Sequence, residues 1–100
     1  MDKNIKKIEK ILKDLKPILR DKYNISEIGV FGSYVRGEQK SGSDLDILVE
    51  FDESASFGLF KFIEMENYLS DQLGIKVDLV MKDSLKPRIG EVILKEVITI

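Results

Sequence analysis

Two aspartates at the start of a predicted strand are the residues of this sequence best suited to chemistry. Asp44 and Asp46 lie in the segment Asp44–Val49, whose other residues are all apolar. Because side chains alternate along a strand, both carboxylates point to the same face of the sheet. Two like charges held this close repel each other, so each needs a partner of opposite charge. The pair therefore predicts a magnesium site, since magnesium takes one or two carboxylates and completes its shell with water and phosphate.

A third aspartate, Asp78, lies in the predicted strand segment Lys76–Val80. Its apolar neighbours indicate a buried strand, where an aspartate needs a partner. If this strand lies beside the one that begins after Asp44, the three carboxylates converge. Three carboxylates suit a two-metal site, in which one ion activates the attacking oxygen and the other stabilises the leaving phosphate. Taken alone, Asp78 is explained equally well by metal binding and by a structural role, as a cap or a salt-bridge partner.

Gly32 and Ser33 directly follow another predicted strand and form a candidate phosphate-binding turn. Glycine lets a phosphate approach the backbone, and the amides that begin a following helix donate to it. Arg36 lies about one helical turn after Ser33 and could direct its guanidinium at the same anion. It is one of three arginines, against thirteen lysines. Taken singly, the Gly-Ser pair is more often an ordinary turn and Arg36 a surface charge.

The composition restricts the chemistry further, because the chain has no cysteine and no histidine. Disulfides and thiolate metal sites are excluded, as are a Ser-His-Asp triad and a histidine proton shuttle. Any catalysis must therefore come from carboxylates, hydroxyls, lysine, arginine or a metal held by oxygen.

The 100 residues carry a formal net charge of -2, which is unevenly distributed. Residues 1–22 hold eight basic and four acidic residues, whereas the remainder holds eight basic and fourteen acidic residues. A basic first helix on an acidic body lacks the basic stripe of nucleic-acid-binding proteins, so we interpret these lysines as a solvated helix face. No apolar run is long enough to span a membrane and the N-terminus does not resemble a signal peptide, so we expect a cytoplasmic protein.

Apolar residues at three- and four-residue spacing predict an amphipathic helix over residues 3–21, with a stripe formed by Ile5, Ile8, Leu12, Leu15 and Leu19. Pro17 predicts a kink or restart near Lys16, because proline removes a backbone hydrogen bond. Three strands are predicted from β-branched and apolar runs: Ile25–Phe31, Leu45–Phe51 and Ile75–Met81. The glycine- and serine-rich residues 34–43 predict a loop, with a helical turn at Ser33–Arg36.

Two more helices complete the prediction. The first has the stripe Leu59, Phe62, Ile63, Leu69 and Leu73, with Ser56 as N-cap and Gly74 as its end. The last starts near Pro87 and has the stripe Ile89, Val92, Ile93 and Val97. The order helix, strand, strand, helix, strand, helix predicts one α+β domain over residues 1–100, with a small mixed sheet and helices packed on one face.

The spacing of these motifs resembles a known signature. Gly32-Ser33, ten further residues and then Asp44-Leu45-Asp46 resemble the DNA polymerase β-like nucleotidyltransferases. The strings Phe31–Glu38 and Val77–Val80 are more particularly similar to the minimal nucleotidyltransferases, which include MntA-type antitoxins paired with HEPN-domain toxins. The resemblance covers about residues 28–93, and Val35 stands where many relatives have alanine.

The resemblance implies a polymerase β palm-like fold and a role for each motif residue. Gly32-Ser33 would hold the β- and γ-phosphates of a nucleoside triphosphate. Asp44 and Asp46 would bind two magnesium ions, and Asp78 would complete the catalytic metal site and help to deprotonate the acceptor. Arg36 would support the triphosphate or the acceptor.

The activity implied by the resemblance is transfer of AMP from ATP to a tyrosine hydroxyl of a HEPN ribonuclease toxin. A chain of 100 residues leaves little surface to hold an acceptor, so an acceptor on a folded partner, in a homo- or hetero-oligomer, fits best. Three alternatives stay open: transfer to a small molecule or an RNA end, neutralisation of a toxin by contact without catalysis, and a domain without ligand whose aspartates pair with lysines.

Overall fold

The computed structural model describes residues 4–53 and 58–100. In chain order its elements are α1 (Ile5–Tyr23), β1 (Ile25–Phe31), α2 (Ser33–Arg36), β2 (Leu45–Phe51), α3 (Leu59–Leu73), β3 (Val77–Met81), a 3-10 turn (Lys82–Ser84), α4 (Pro87–Glu96) and β4 (Ile98–Thr99). Within the described ranges, no helix combines the length and apolarity that crossing a membrane requires. The N-cap predicted at Ser56 lies outside the described residues.

Helix α1 begins at its cap, where the side chain of Asn4 accepts a hydrogen bond from the N–H of Lys7 at 3.0 Å. It ends at Asn24, whose left-handed backbone (φ 56°) closes the last turn. The helix runs without interruption through Pro17, so the predicted restart is wrong. Pro17 lies on the exposed side of α1, where water can bond the carbonyl that proline leaves unpaired.

The four strands form one mixed sheet in the order β3-β2-β1-β4. Strand β1 pairs antiparallel with both β2 and β4, whereas β2 and β3 are parallel. A parallel pair needs a crossover connection, and helix α3 supplies it. The predicted mixed sheet is therefore confirmed, although β3 begins at Val77, two residues later than predicted.

The core lies between the sheet and helices α1 and α3, which confirms the predicted packing of these helices on one face. Alternate strand residues face the helices because side chains alternate along each strand. The sheet contributes Ile28, Val30, Leu45, Ile47, Val49, Val77 and Leu79. The helices contribute Ile8, Leu12, Leu15, Leu19, Met65, Leu69 and Leu73. The intervening strand residues, which include Asp46 and Asp78, point to the opposite face.

The C-terminal part of the chain differs most from the prediction. Helix α4 has proline at its first position, as predicted, but Ile89 and Val92 are 56% and 64% exposed, so the predicted buried stripe is wrong. Val97 follows the helix instead of belonging to it, and Ile98–Thr99 pair with β1 as a fourth strand. A strand of two residues is too short to show the alternation by which strands are recognised in a sequence.

Gly29 lies where β4 packs against β1, and we expect Gly29→Ala to destabilise the fold. A Cβ there would stand 2.7 Å from Val97 Cγ2 and 3.0 Å from the carbonyl oxygen of Ile98. Forcing a methyl group into a filled site costs roughly 1–3 kcal/mol of unfolding free energy, measurable by urea denaturation. Gly58→Ala is the matched control, because a Cβ at Gly58 meets nothing within 4 Å. Equal stability of the two variants would contradict the expected crowding.

Candidate active site

The three aspartates singled out in the sequence lie on one face of the sheet. Asp46 and Asp78 are direct register partners on the parallel strands β2 and β3. Neighbouring strands are about 4.8 Å apart, so the two side chains lie next to each other. Asp44 precedes β2 and, by alternation, has the same facing as Asp46. The expected convergence thus depends on the pairing of β2 with β3.

Asp78 is exposed, whereas its neighbours Val77 and Leu79 are buried, as predicted. Strand β3 forms an edge of the sheet, and α1 and α3 cover only the face to which Val77 and Leu79 contribute. The apolar neighbours of Asp78 point into the core, whereas its carboxylate points to the open face. This exposure makes Asp78 accessible to a second reactant.

The electrostatics of the cluster centre on Asp46. Burial raises the pKa of the Asp46 carboxyl above its usual range, and the negative charges of Asp78 and Asp44 raise it further. The positive charge of Arg36 acts in the opposite direction without cancelling these effects. The ionised cluster is therefore unfavourable by itself, and a bound cation would relieve the repulsion.

The donor set fits magnesium better than a closed metal cage. Among the described residues, no group of three acidic side chains stands ready to enclose an ion. Magnesium needs only one or two carboxylates and keeps water or substrate phosphate in its other positions. An open, all-oxygen cluster on a sheet face matches that requirement.

The turn that follows β1 lies against the same cluster. Gly32 has φ 84° and ψ -154°, a combination that only glycine adopts readily. A Cβ at Gly32 would collide with the Oδ2 atom of Asp46, so the turn and this carboxylate are in direct contact. The predicted helical turn at Ser33–Arg36 is present as α2, which starts directly after Gly32.

Glu96, which the sequence analysis missed, contacts both ends of α2. Its Oε2 accepts a hydrogen bond from the Gly32 N–H at 2.9 Å, and its Oε1 accepts one from Arg36 Nη1 at 2.6 Å. Partial burial works to raise the pKa of the Glu96 carboxyl, but the hydrogen bonds from Arg36 and Gly32 outweigh it and hold this pKa below its usual range. No motif spacing could have indicated this contact, because 64 residues separate Glu96 from Gly32.

Arg36 lies at the rim of the cluster, between two carboxylates. Besides the bond to Glu96, its Nε donates to Glu38 Oε1 at 2.5 Å. About half of the Arg36 side chain is exposed. Its positive charge acts on Asp46, where it partly offsets the rise in the pKa of that carboxyl. The structure thus places Arg36 within electrostatic reach of Asp46, with its guanidinium paired to Glu38 and Glu96, and its role in binding an anion stays a prediction.

The loop before Asp44 is tied to α2 and borders a cleft. The Tyr34 hydroxyl donates to the Ser43 carbonyl at 3.4 Å, and the Lys40 N–H donates to Ser43 Oγ at 2.8 Å. The cleft measures about 730 Å³, and its lining includes Tyr34, Lys40, Asp44 and Lys76. This volume is in the range of small-molecule sites, and the cleft opens directly beside a carboxylate of the cluster.

This geometry agrees with comparisons to known proteins. The family model described as "Nucleotidyltransferase domain" matches residues 5–100. The chain belongs to the nucleotidyltransferase domain family. This nucleotidyltransferase is 55% identical over 94 residues to the protein adenylyltransferase MntA of Thermococcus cleftensis, and the match covers 94% of this chain and 93% of MntA.

Solved structures share the fold of this nucleotidyltransferase. One described as a minimal nucleotidyltransferase superposes with a TM-score of 0.79 at 30% identity, covering 96% of this chain and 95% of that one. A toxin–antitoxin structure with AMP-PNP superposes with a TM-score of 0.70 at 26% identity, covering 87% and 69%. The predicted family, fold class and enzyme class are therefore confirmed.

Proposed function

We propose that this nucleotidyltransferase transfers AMP from ATP to a hydroxyl group of a partner protein in a magnesium-dependent reaction. The observation that carries the proposal is the side-by-side placement of Asp46 and Asp78, with the Gly32 turn in contact with Asp46. The similarity to the protein adenylyltransferase MntA supports a protein acceptor, and the similar toxin–antitoxin structure with AMP-PNP supports an adenine nucleotide.

The phosphate turn would hold the triphosphate. Gly32 allows close approach, but its own N–H is directed at Glu96. The phosphate contacts of the turn would therefore be made by the hydroxyl and N–H of Ser33, the residue after Gly32. Arg36 would add its positive charge from the end of α2.

Asp44, Asp46 and Asp78 would hold the two magnesium ions, which when bound would neutralise the triphosphate and the charge that develops at transfer. The acceptor oxygen attacks the α-phosphorus and forms a P–O bond. The bond between the α-phosphorus and the α,β-bridging oxygen breaks, and pyrophosphate leaves. Asp78, the exposed carboxylate, takes the proton of the attacking hydroxyl. Positioning and charge neutralisation account for the rate, so histidine and cysteine are not needed.

The partner in this proposal is a HEPN-domain toxin, and the acceptor is one of its tyrosine hydroxyls. The resemblance to MntA-type antitoxins supports this assignment. Leu59 and Phe60, at the start of α3, are 71% and 89% exposed and offer an apolar surface to a partner protein. We place the reaction in the cytoplasm, and we regard residues 1–100 as a single minimal nucleotidyltransferase domain that acts on an acceptor held by its partner.

Co-expression with the product of the adjacent gene tests the proposal. We expect the intact mass of that partner to rise by one or more AMP units with the wild-type enzyme and to stay unchanged with Asp46→Asn. A modified RNA and an unmodified protein would contradict the protein acceptor. Toxin neutralisation that survives undiminished in Asp46→Asn would favour the alternative of an antitoxin that acts by contact alone.

A further inference from the structure

We propose that Glu96 is a positioning residue, which fixes the phosphate turn and Arg36 in the geometry that binds the nucleotide. This inference rests on the proposed function, since it names the residue that prepares the same site. Glu96 reaches the two ends of α2 separately, through Oε2 to the Gly32 N–H and through Oε1 to Arg36 Nη1. Each of its two oxygens thus has its own donor.

Helix α2 needs such a clamp because it is a single turn of four residues. So short a helix is not stable by itself, because the conformational entropy lost in forming the first turn outweighs the free energy gained from its hydrogen bonds. The bond to Gly32 holds the residue before the turn, and the bond to Arg36 holds its last residue. With both ends of α2 held, the Ser33 N–H, the Ser33 hydroxyl and the Arg36 guanidinium keep fixed directions relative to one another.

The position of Glu96 is itself fixed by the sheet. It is the last residue of α4, and β4 follows it by pairing Ile98 with Val30 and Thr99 with Gly29. The side chain is 16% exposed and is ionised at neutral pH, because its two donors hold its pKa low. A clamp anchored on a paired strand is more rigid than one on a free loop.

Simple electrostatics and positioning predict opposite effects of neutralising Glu96. If the carboxylate acted only through its charge, Glu96→Gln would remove a negative charge near the triphosphate and strengthen nucleotide binding. If it positions the turn, Glu96→Gln weakens binding, because an amide offers one oxygen where two donors need two acceptors. The sign of the change in affinity therefore separates the two roles.

Calorimetric binding of magnesium–AMP-PNP to the full chain is the test. We expect Glu96→Gln to weaken binding about tenfold, with a KM for ATP that rises more than kcat falls. Glu96→Ala should weaken it further, since it removes both acceptors. Glu38→Gln is the matched control, because it removes the other ion pair of Arg36 without touching Gly32, and we expect less than about a threefold effect.

Unchanged or tighter binding in Glu96→Gln overturns the role of Glu96 while leaving the proposed function intact. Failure of the wild-type protein to bind magnesium–AMP-PNP overturns both. Amide hydrogen exchange of the wild-type protein gives a measurement that needs no variant to fold. Protection of the Gly32 N–H supports the clamp, and free exchange at Gly32 overturns it.

Discussion

Replacing Asp46 with asparagine is expected to reduce AMP transfer roughly a thousandfold while making the metal-free protein more stable. Loss of a metal ligand removes several kcal/mol of transition-state stabilisation, and each 1.36 kcal/mol is a factor of about ten in rate. Stability changes in the opposite direction because the ionised Asp46 carboxylate is partly buried and faces the charges of Asp78 and Asp44. Asparagine removes that repulsion at almost the same volume.

The stability gain has a defined pH dependence. The pKa of Asp46 is raised in the folded protein, so protonated Asp46 stabilises the fold at low pH and this stabilisation is lost as the pH rises through its folded-state pKa. The gap in Tm between Asp46→Asn and wild type, measured in EDTA, should therefore widen from acidic to neutral pH. Magnesium with nucleotide should narrow this difference in Tm, because their binding stabilises the wild-type protein.

Asp71→Asn is the matched control, since Asp71 is an exposed aspartate on α3, away from the site. It should leave the transfer rate near that of wild type. A metal-free Asp46→Asn that is less stable than wild type at neutral pH would show that Asp46 already has a favourable partner within the protein. The case for a bound cation would then lose its electrostatic support.

Gly32→Ala is expected to damage both fold and activity. The backbone of Gly32 lies in a region that costs other residues about 1–3 kcal/mol, and the added methyl group would collide with Asp46 Oδ2. Relief of the collision must move either the phosphate turn or the carboxylate. A displacement of about 1 Å in a reacting group costs roughly a hundredfold in rate, so transfer should fall by at least that factor.

Gly37→Ala separates the two effects of Gly32→Ala. Gly37 also has a positive φ of 71°, but a Cβ there meets nothing within 4 Å. It should cost about 1–2 kcal/mol of unfolding free energy and leave the transfer rate per folded molecule near that of wild type. Transfer rates that fall equally in both variants would mean that backbone strain, and not contact with Asp46, explains the loss.

The candidate carboxylates were predictable because the signals that define them are local. Alternation along a strand places Asp44 and Asp46 on one face, and the apolar run after them identifies that strand. Asp78 lies beside this pair only if β2 and β3 are adjacent strands. The local sequence pattern could not establish that adjacency. The resemblance of the motif spacing to the DNA polymerase β-like nucleotidyltransferases implied a fold in which these two strands are adjacent.

Other features could not be predicted because their cause is tertiary. The contact of Glu96 with Gly32 joins residues 64 positions apart, beside the pairing of β4 with β1, and a two-residue strand has no sequence signature. The exposure of Asp78 follows from the edge position of β3, which periodicity does not report. Pro17 is accommodated because its side of α1 faces solvent. In each case the neighbouring elements, not the local residues, decide the outcome.

Incubation with magnesium and the partner protein, using ATP labelled at either the α- or the γ-phosphorus, tests the central claim most directly. Nucleotidyl transfer moves the α-phosphorus to the acceptor and releases the γ-phosphorus in pyrophosphate. We therefore predict that the partner acquires label from α-labelled ATP and not from γ-labelled ATP, and that Asp46→Asn transfers neither. Label from γ-labelled ATP, or labelling by Asp46→Asn at the wild-type rate, would contradict the account.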